Sequence, residues 1–222
     1  MSETVWISQV RSDSRIGNKQ GIRAKFYGGE WEPAELKIPV PSERILAAHR
    51  HQRRGLILDR TEMTEAVAIW DGSRFARKGD LFYAGPFLAV RGKLAKVLAD
   101  FDLGAGGLVP LPVFKADLKT RVEGEFFLLN FGGQKDTFLA DASKGIIPFY
   151  TEKNTSEQVW KLEAGVSDDD LALSPHCLEG PDLWCERRFH DGLFMSDTLV
   201  SALREAKVKV DFRLNSCRIV KG

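Results

Sequence analysis

Two of the four histidines and two of the three cysteines fall within nineteen residues, Ser174 to Gly192, reading SPHCLEGPDLWCERRFHDG. Soft nitrogen and sulfur ligands at that density raise a zinc centre first, either a structural staple or a catalytic ion. A structural zinc site takes its ligands from tight turns, usually as a cysteine pair two to four residues apart. Here His176 and Cys177 are adjacent, and adjacent side chains of an extended segment point opposite ways. Cys185 follows eight residues later and His190 five beyond it. No spacing sets two ligands on one turn. Trp184 and Cys185 lie in a strand-like run, where a free cysteine is usually a small buried hydrophobe. The stretch reads as packing and surface residues, and neither metal nor cofactor is expected.

Three other constellations each have a plainer reading beside the functional one. LGAGGL (103–108) has the glycines of a phosphate-binding loop. Such a loop follows a strand and opens a helix, so that helix N-terminal amides meet the phosphate. This one follows a helix and leads into an extended segment, so it reads as a helix stop. HRHQRR (49–54) sets Arg50, Arg53 and Arg54 on one helical face, which suits nucleic acid. It equally suits a helix C-terminus, whose dipole favours cations, and no aromatic platform is interleaved. The run SDDD (167–170) lacks the glycine and distal glutamate of a calcium loop, which leaves a solvated turn or a docking site for a basic partner. No Gly-x-Ser-x-Gly elbow or cysteine-nucleophile signature is present.

The bulk figures are those of an ordinary soluble globular chain rather than a charged-polymer reader. The 222 residues carry 32 Lys+Arg against 31 Asp+Glu, a net charge of +1, so no global field steers the chain to nucleic acid or an anionic membrane. The opening MSETVWISQVRSDSR has no apolar run of signal-peptide length, and nothing downstream approaches eighteen apolar residues. Three cysteines without a disulfide framework fit a reducing cytoplasm. The length suffices for a sizeable core, and we expect a single domain over 1–222.

The elements that must carry these residues are short. TVWIS (4–8) and RAKFY (23–27) read as strands, broken by Gly17, Gly21, Gly28 and Gly29. Pro39 and Pro41 precede Ser42, an N-cap for the helix ERILAAHRHQRR that Gly55 ends. LILD (56–59) and AVAIW (66–70) read as buried strands, and DLFYAGPFLAV (80–90) as a strand region bent at Gly85-Pro86. GKLAKVLAD is amphipathic, with Leu94, Val97, Leu98 and Phe101 three and four apart. LVPLPVF is held to an edge by its prolines, and EFFLLNF (125–131) is the strongest strand. QVWKL, DLWCER, the helix SDTLVSALREAK (196–207), then VKVDFRL and CRIV complete the chain. The fold class is α+β, a mixed or antiparallel sheet with few short helices.

One internal echo stands out. LAVRGKLAKVLAD (88–100) aligns with LFMSDTLVSALRE (193–205), pairing Leu88 with Leu193, Leu94 with Leu199 and Leu98 with Leu203. Each copy is a strand, a polar cap and a short helix followed by an extended piece, giving two similar strand-helix-strand units at 88–114 and 193–220.

Taken together with the strands downstream of the first copy, these segments resemble a family of bacterial immunity proteins of polymorphic and type VI secretion toxin systems, first catalogued as a domain of unknown function. The carrying residues are FLAVRGKLAKVLADFDLGAGGLVPLPVF, then FFLLN at Phe126–Asn130 and DLW at Asp182–Trp184. The closing unit supplies Phe194, Met195, Ser196 and Leu199, and the strand Cys217–Val220. The likeness spans 81–220, with 1–80 fitting loosely. It departs at Arg91-Gly92, where the family commonly places a serine cap. It implies a non-catalytic protein that binds and neutralises a cognate toxin by occlusion, with no cofactor. Trp160, Asp168, Asp169, Asp170, Trp184, Arg187 and Arg188 are the expected partner-binding residues. The alternatives are an effector-associated adaptor or chaperone, and a small-molecule enzyme assembled around His176 and His190. Self-association is left open.

Overall fold

A computed structural model describes residues 4–17, 21–34, 41–153 and 155–220; Pro39 lies outside them. The chain runs β1 (Val5–Ser8), α1 (Ser14–Gly17), β2 (Ile22–Phe26), α2 (Glu43–Arg53), β3 (Thr64–Ile69), α3 (Gly72–Ala76), β4 (Leu81–Ala84), β5 (Phe87–Arg91) and α4 (Gly92–Ala99). It continues through β6 (Gly107–Pro110), β7 (Val113–Phe114), β8 (Phe126–Asn130), β9 (Gln134–Lys135), β10 (Ile146–Thr151) and β11 (Gln158–Leu162). β12 (Ala172–Leu173), β13 (Leu183–Glu186), β14 (Leu193–Ser196), α5 (Asp197–Glu205) and β15 (Leu214–Ile219) close it. This is an α+β fold whose sheets are mostly antiparallel, with parallel pairs at β3–β7, β12–β15 and β9–β13. Among the described residues no helix is long and apolar enough to cross a membrane.

The echo in the sequence is an echo in the ladders. One sheet has the order β4-β5-β8-β6, and the larger one contains β13-β14-β1-β15. Within each four, all neighbours are antiparallel. The registers coincide as well: Leu81 faces Val90 as Leu183 faces Met195, and Phe82 faces Ala89 as Trp184 faces Phe194. β8 crosses Ala89 at Leu128, and β1 crosses Phe194 at Ile7. β1 therefore holds in the second unit the central place that β8 holds in the first.

Each unit opens on an Asp-Leu-aromatic triplet whose aspartate reaches the start of the helix, backing the capping serine in one unit and capping directly in the other. In the second unit Ser196 Oγ accepts from Leu199 N at 3.2 Å and donates to Asp182 Oδ1 at 2.6 Å. In the first, Arg91 supplies no side-chain cap, and the Asp80 carboxylate accepts directly from Lys93 N at 3.0 Å and Leu94 N at 3.4 Å. Gly92 makes this possible: it sits at φ +57°, and a Cβ there would lie 2.8 Å from Asp80 Oδ1. The Arg91-Gly92 departure is thus a cap delivered from another strand.

Period-two alternation sends the two faces of each unit to different cores. Leu81, Leu88, Val90, Leu94 and Leu98 meet Leu183, Leu193, Met195, Leu199 and Leu203 in one cluster, where the units pack against each other. The opposite face of the first unit, with Phe82, Phe87 and Leu128, packs on β2, β3 and α2. That of the second, with Ile7, Trp184 and Phe194, packs on Phe138, Leu171, Leu173 and Phe189.

Several expectations change in detail. DLFYAGPFLAV is a hairpin of β4 and β5 turning at Gly85-Pro86, since four ladder pairs join its halves. LILD is not a strand: Leu56 and Ile57 are exposed, and the Asn130 side chain takes the place of a sheet partner. Asn130 Oδ1 accepts from Leu58 N at 3.1 Å, and its Nδ2 donates to Leu58 O at 2.9 Å. VKVDFRL forms no ladder before Leu214, and Arg213, at a positive φ of 49°, sets it off from β15. The glycines of LGAGGL do not end α4, which stops at Ala99 with Asp100 as its C-cap, five residues before Gly104; they allow a close backbone crossing instead, since a Cβ on Gly106 would collide with Asn130 O.

Candidate functional site

The two units differ most in one connection. β4 and β5 are joined by two residues, whereas β13 and β14 are joined by six, Arg187–Gly192. That longer loop meets the C-terminus of α2 and the protruding hairpin β10–β11, and there the charged and aromatic groups gather.

α2 arrives in position through its own end. Gly55, at φ +76°, turns the chain and donates its N–H to Gln52 O at 3.0 Å, and the Arg11 guanidinium adds bonds to Arg53 O at 3.0 Å and Gln52 O at 3.4 Å at the negative end of the helix. Gln52 Nε2 donates to Leu129 O at 2.8 Å and Gln134 Nε2 to Arg54 O at 2.7 Å. The helix end is therefore fixed from three sides. Arg53 Nε then donates to Asp191 Oδ1 at 2.5 Å, and its NH2 pairs with Asp191 Oδ2. His190 Nε2 lies 3.2 Å from Asp191 Oδ2 and 3.3 Å from Arg53 NH2. Burial alone would raise the Asp191 carboxyl, but the bonds and charges of His190 and Arg53 hold it far below the usual carboxylate range. Asp191 sits at φ +62°, a left-handed position that aspartate tolerates better than most residues. Nearby, burial and the charges of Arg53 and Arg11 push the His49 imidazole down to about 4.

The hairpin lies over this cluster. Phe149 stacks on the His190 ring at 4.2 Å between centroids and touches Tyr150 at 5.4 Å. Lys161 Nζ stands 4.9 Å over Phe149, and Glu152 pairs with Arg54 at 3.0 Å. Despite these supports Phe149 remains 43% exposed, Tyr150 39% and Ile147 36%. Beyond the Arg54–Glu152 pair, in the segment leaving α2, Leu56 and Ile57 are also exposed. The arrangement is a rigidly backed aromatic surface with a paired-charge rim.

Of the residues expected at a partner surface, three come together. Trp160 donates its N–H to Arg188 O at 2.9 Å, and its carbonyl accepts from His190 N at 2.7 Å. Arg187 bridges Asp136 and Glu157, both at 2.6 Å, and Arg188 holds Asp136 at 2.9 Å and Phe138 O at 2.8 Å. These arginines strap β11 to the body of the protein, and Trp160 and Arg188 line a cleft of about 450 Å³. Trp184 is a correction: it is 1% exposed, stacks on Phe194 and donates its indole N–H to Glu186, so it belongs to the core. The acidic run stands apart. Asp168 Oδ1 accepts from Ser216 N, Asp169 Oδ1 from Ser216 Oγ, and Asp170 Oδ2 from Ser167 N. No ion pair or hydrogen bond links it to Trp160, Arg187 or Arg188 among the described residues.

The other sequence candidates disperse. Cys177 and Cys185 are buried, the latter accepting from Arg11 NH1 at 3.3 Å, while His176 is exposed beside Glu179. Among the described residues no three His, Cys, Asp or Glu side chains converge as a metal site would require. The arginines of HRHQRR do not form a free cationic face: Arg50 pairs with Glu43, Arg53 with Asp191 and Arg54 with Glu152. Phe149 and Tyr150 escaped the sequence reading. Their signal was IIPFYT, an apolar run without alternation beside a polar turn, which a half-buried strand would not show. Compared with models of known protein families the chain matches none, and no curated protein matches it.

Proposed function

We propose that this chain is a non-catalytic binding protein that neutralises a cognate secreted toxin in the cytoplasm of the producing cell, by covering the toxin's working surface. The toxin is the partner that the likeness to immunity proteins implies. One observation carries the binding half of this reading: Phe149 and Tyr150 are exposed, yet held from behind by His190, Asp191 and Arg53. Aromatic side chains kept rigid before binding lose little entropy on capture, and such residues dominate interface energetics. The paired charges of Arg54 and Glu152 form a polar rim, and exposed Leu56 and Ile57 follow Arg54 in the chain.

The test is co-expression with the product of the adjacent reading frame, followed by co-purification and host growth. Phe149→Ala with Tyr150→Ala should weaken capture at least a hundredfold, about 3 kcal/mol, and abolish growth protection while leaving the fold intact. A harmless neighbour that does not bind would refute the immunity reading. Binding without rescue of growth would identify an adaptor or chaperone instead.

A further inference from the structure

We propose that Lys135 is an imine-forming amine and that the cleft it lines takes a small aldehyde or ketone carrying no negative charge. The cleft, about 470 Å³, is bordered by Lys135, Trp184, Asp182, Ser196, Asp197 and Thr198, and no hairpin residue lines it. It is therefore separate from the proposed partner surface.

Lys135 lies on β9, which pairs parallel to β13 with Lys135 opposite Glu186. Its Nζ stands 3.5 Å from the centroid of the Trp184 ring and donates to Cys177 O at 2.8 Å. An ammonium has three protons to place; the Cys177 carbonyl takes one and the Trp184 face gives a cation–π attraction, which together replace only part of the water lost on burial. The nearest acid does not help directly, because both Glu186 oxygens already accept from Thr137, Phe138 and Trp184. Burial brings the amine down to about 8, against the attraction of Cys177, Glu186, Asp182 and Asp102. A lysine desolvated in this way is a nucleophile near neutral pH.

The rest of the cleft suits imine chemistry. Asp182 Oδ1 accepts from Ser196 Oγ at 2.6 Å and from Thr198 Oγ1 at 3.3 Å, a carboxylate–hydroxyl group able to pass protons. The neutral Nζ adds its lone pair to the carbonyl carbon, the carbonyl π pair moves to oxygen, and one proton passes from nitrogen to oxygen. The resulting carbinolamine loses that oxygen as water, taking a second proton from nitrogen, and a C=N bond remains. Amine and carbonyl give imine and water, with no change of oxidation state. Asp182 and Asp197 at the wall repel anions, so anionic carbonyl compounds are excluded from the class.

The experiment uses the full chain with pyridine-4-carboxaldehyde and sodium cyanoborohydride, mapping labelled lysines by peptide mass. At pH 7.5 roughly a quarter of Lys135 is neutral, against about one in a thousand for an ordinary lysine. Weaker bases are weaker nucleophiles, which leaves an advantage on the order of tenfold in rate. We expect Lys135 to label about tenfold faster than the exposed lysines, saturably and with a pH midpoint near 8. Lys135→Arg should remove that fast phase. Label spread over the exposed lysines with Lys135 no faster would overturn the proposal, and the wild-type map decides this even if the variant misfolds.

Discussion

Replacing Glu186 by glutamine changes one atom and should cost several kcal/mol. Glu186 is 1% exposed. One carboxylate oxygen accepts from Thr137 N at 2.7 Å and Phe138 N at 3.1 Å, the other from Thr137 Oγ1 at 2.5 Å and Trp184 Nε1 at 2.9 Å. Three partners are obligate N–H donors and only the Thr137 hydroxyl can turn to accept, so even in its better orientation the amide nitrogen of glutamine meets the Trp184 N–H head on. At least one charge-assisted bond is lost, worth about 1.5–3 kcal/mol, and a buried N–H is left facing another, which adds a penalty of about 1–3 kcal/mol and gives a loss of about 3–5 kcal/mol. For a chain of this length that corresponds to roughly 6–20 °C in Tm. Urea unfolding followed by tryptophan fluorescence reads the change, with near-UV circular dichroism reporting on the Trp184 environment. The damage should reach the hairpin too, because Arg188 is anchored on Phe138 O. A loss under about 1 kcal/mol at unchanged m would show that the site re-pairs with water, and the argument for a fully committed carboxylate would fail.

The same geometry sets two further outcomes. Asp80→Ala removes the side-chain cap of α4 and should cost about 1 kcal/mol in urea unfolding; an unchanged midpoint would mean that Gly92, not Asp80, sets the helix start. His49 bears on acid stability: its folded value of about 4 lies below the ordinary 6.5, so the unfolded chain takes up the proton first as pH falls. The stability tied to this group is thus full above pH 6.5, is lost as pH falls toward 4, and is level below. Discounted for partial exposure it amounts to about 1–2 kcal/mol, and His49→Gln should flatten the difference between pH 7 and 4.5.

Much of the frame was legible because its signals are local. Ser42 and Ser196 cap helices by bonding N–H groups three residues on, and the leucines of α4 and α5 keep helical spacing over two turns. The site was less legible because its members are joined only through space. Arg53 and His190 were each singled out, but nothing in either segment announces that 137 residues of separation close to 3.3 Å. Trp184 was misplaced for a related reason: an aromatic in a polar neighbourhood looks exposed until its indole N–H is seen to end on buried Glu186. LILD failed because an apolar tetrapeptide does not reveal whether a ladder or an asparagine side chain will satisfy its backbone.

The likeness of the two units was only half visible in the sequence, because one strand of the second unit comes from the opposite end of the chain. In the first unit the central strand β8 follows the helix and β6; in the second it is β1, far upstream of β14. The register of β13, β14 and β1 matches that of β4, β5 and β8, so β1 stands in the second unit where β8 stands in the first. The geometry allows the same chain order to be built into the second unit. β15 and β1 are antiparallel with Val5 opposite Cys217, two residues before β15 ends at Ile219, so β1 begins beside the end of β15. A circular permutant that carries residues 1–9 behind residue 222 and starts at Val10 would therefore make β15–β1 an ordinary hairpin and both units continuous. Loop closure over so short a span changes little, so the permutant should unfold within about 2 kcal/mol of the parent, with matching circular dichroism. Deleting residues 1–9 outright strips β14 and β15 of their shared neighbour and exposes the face of Ile7, and that chain should not fold cooperatively. If the permutant fails while the deletion survives, β1 is an accessory strand and the two units are not equivalent.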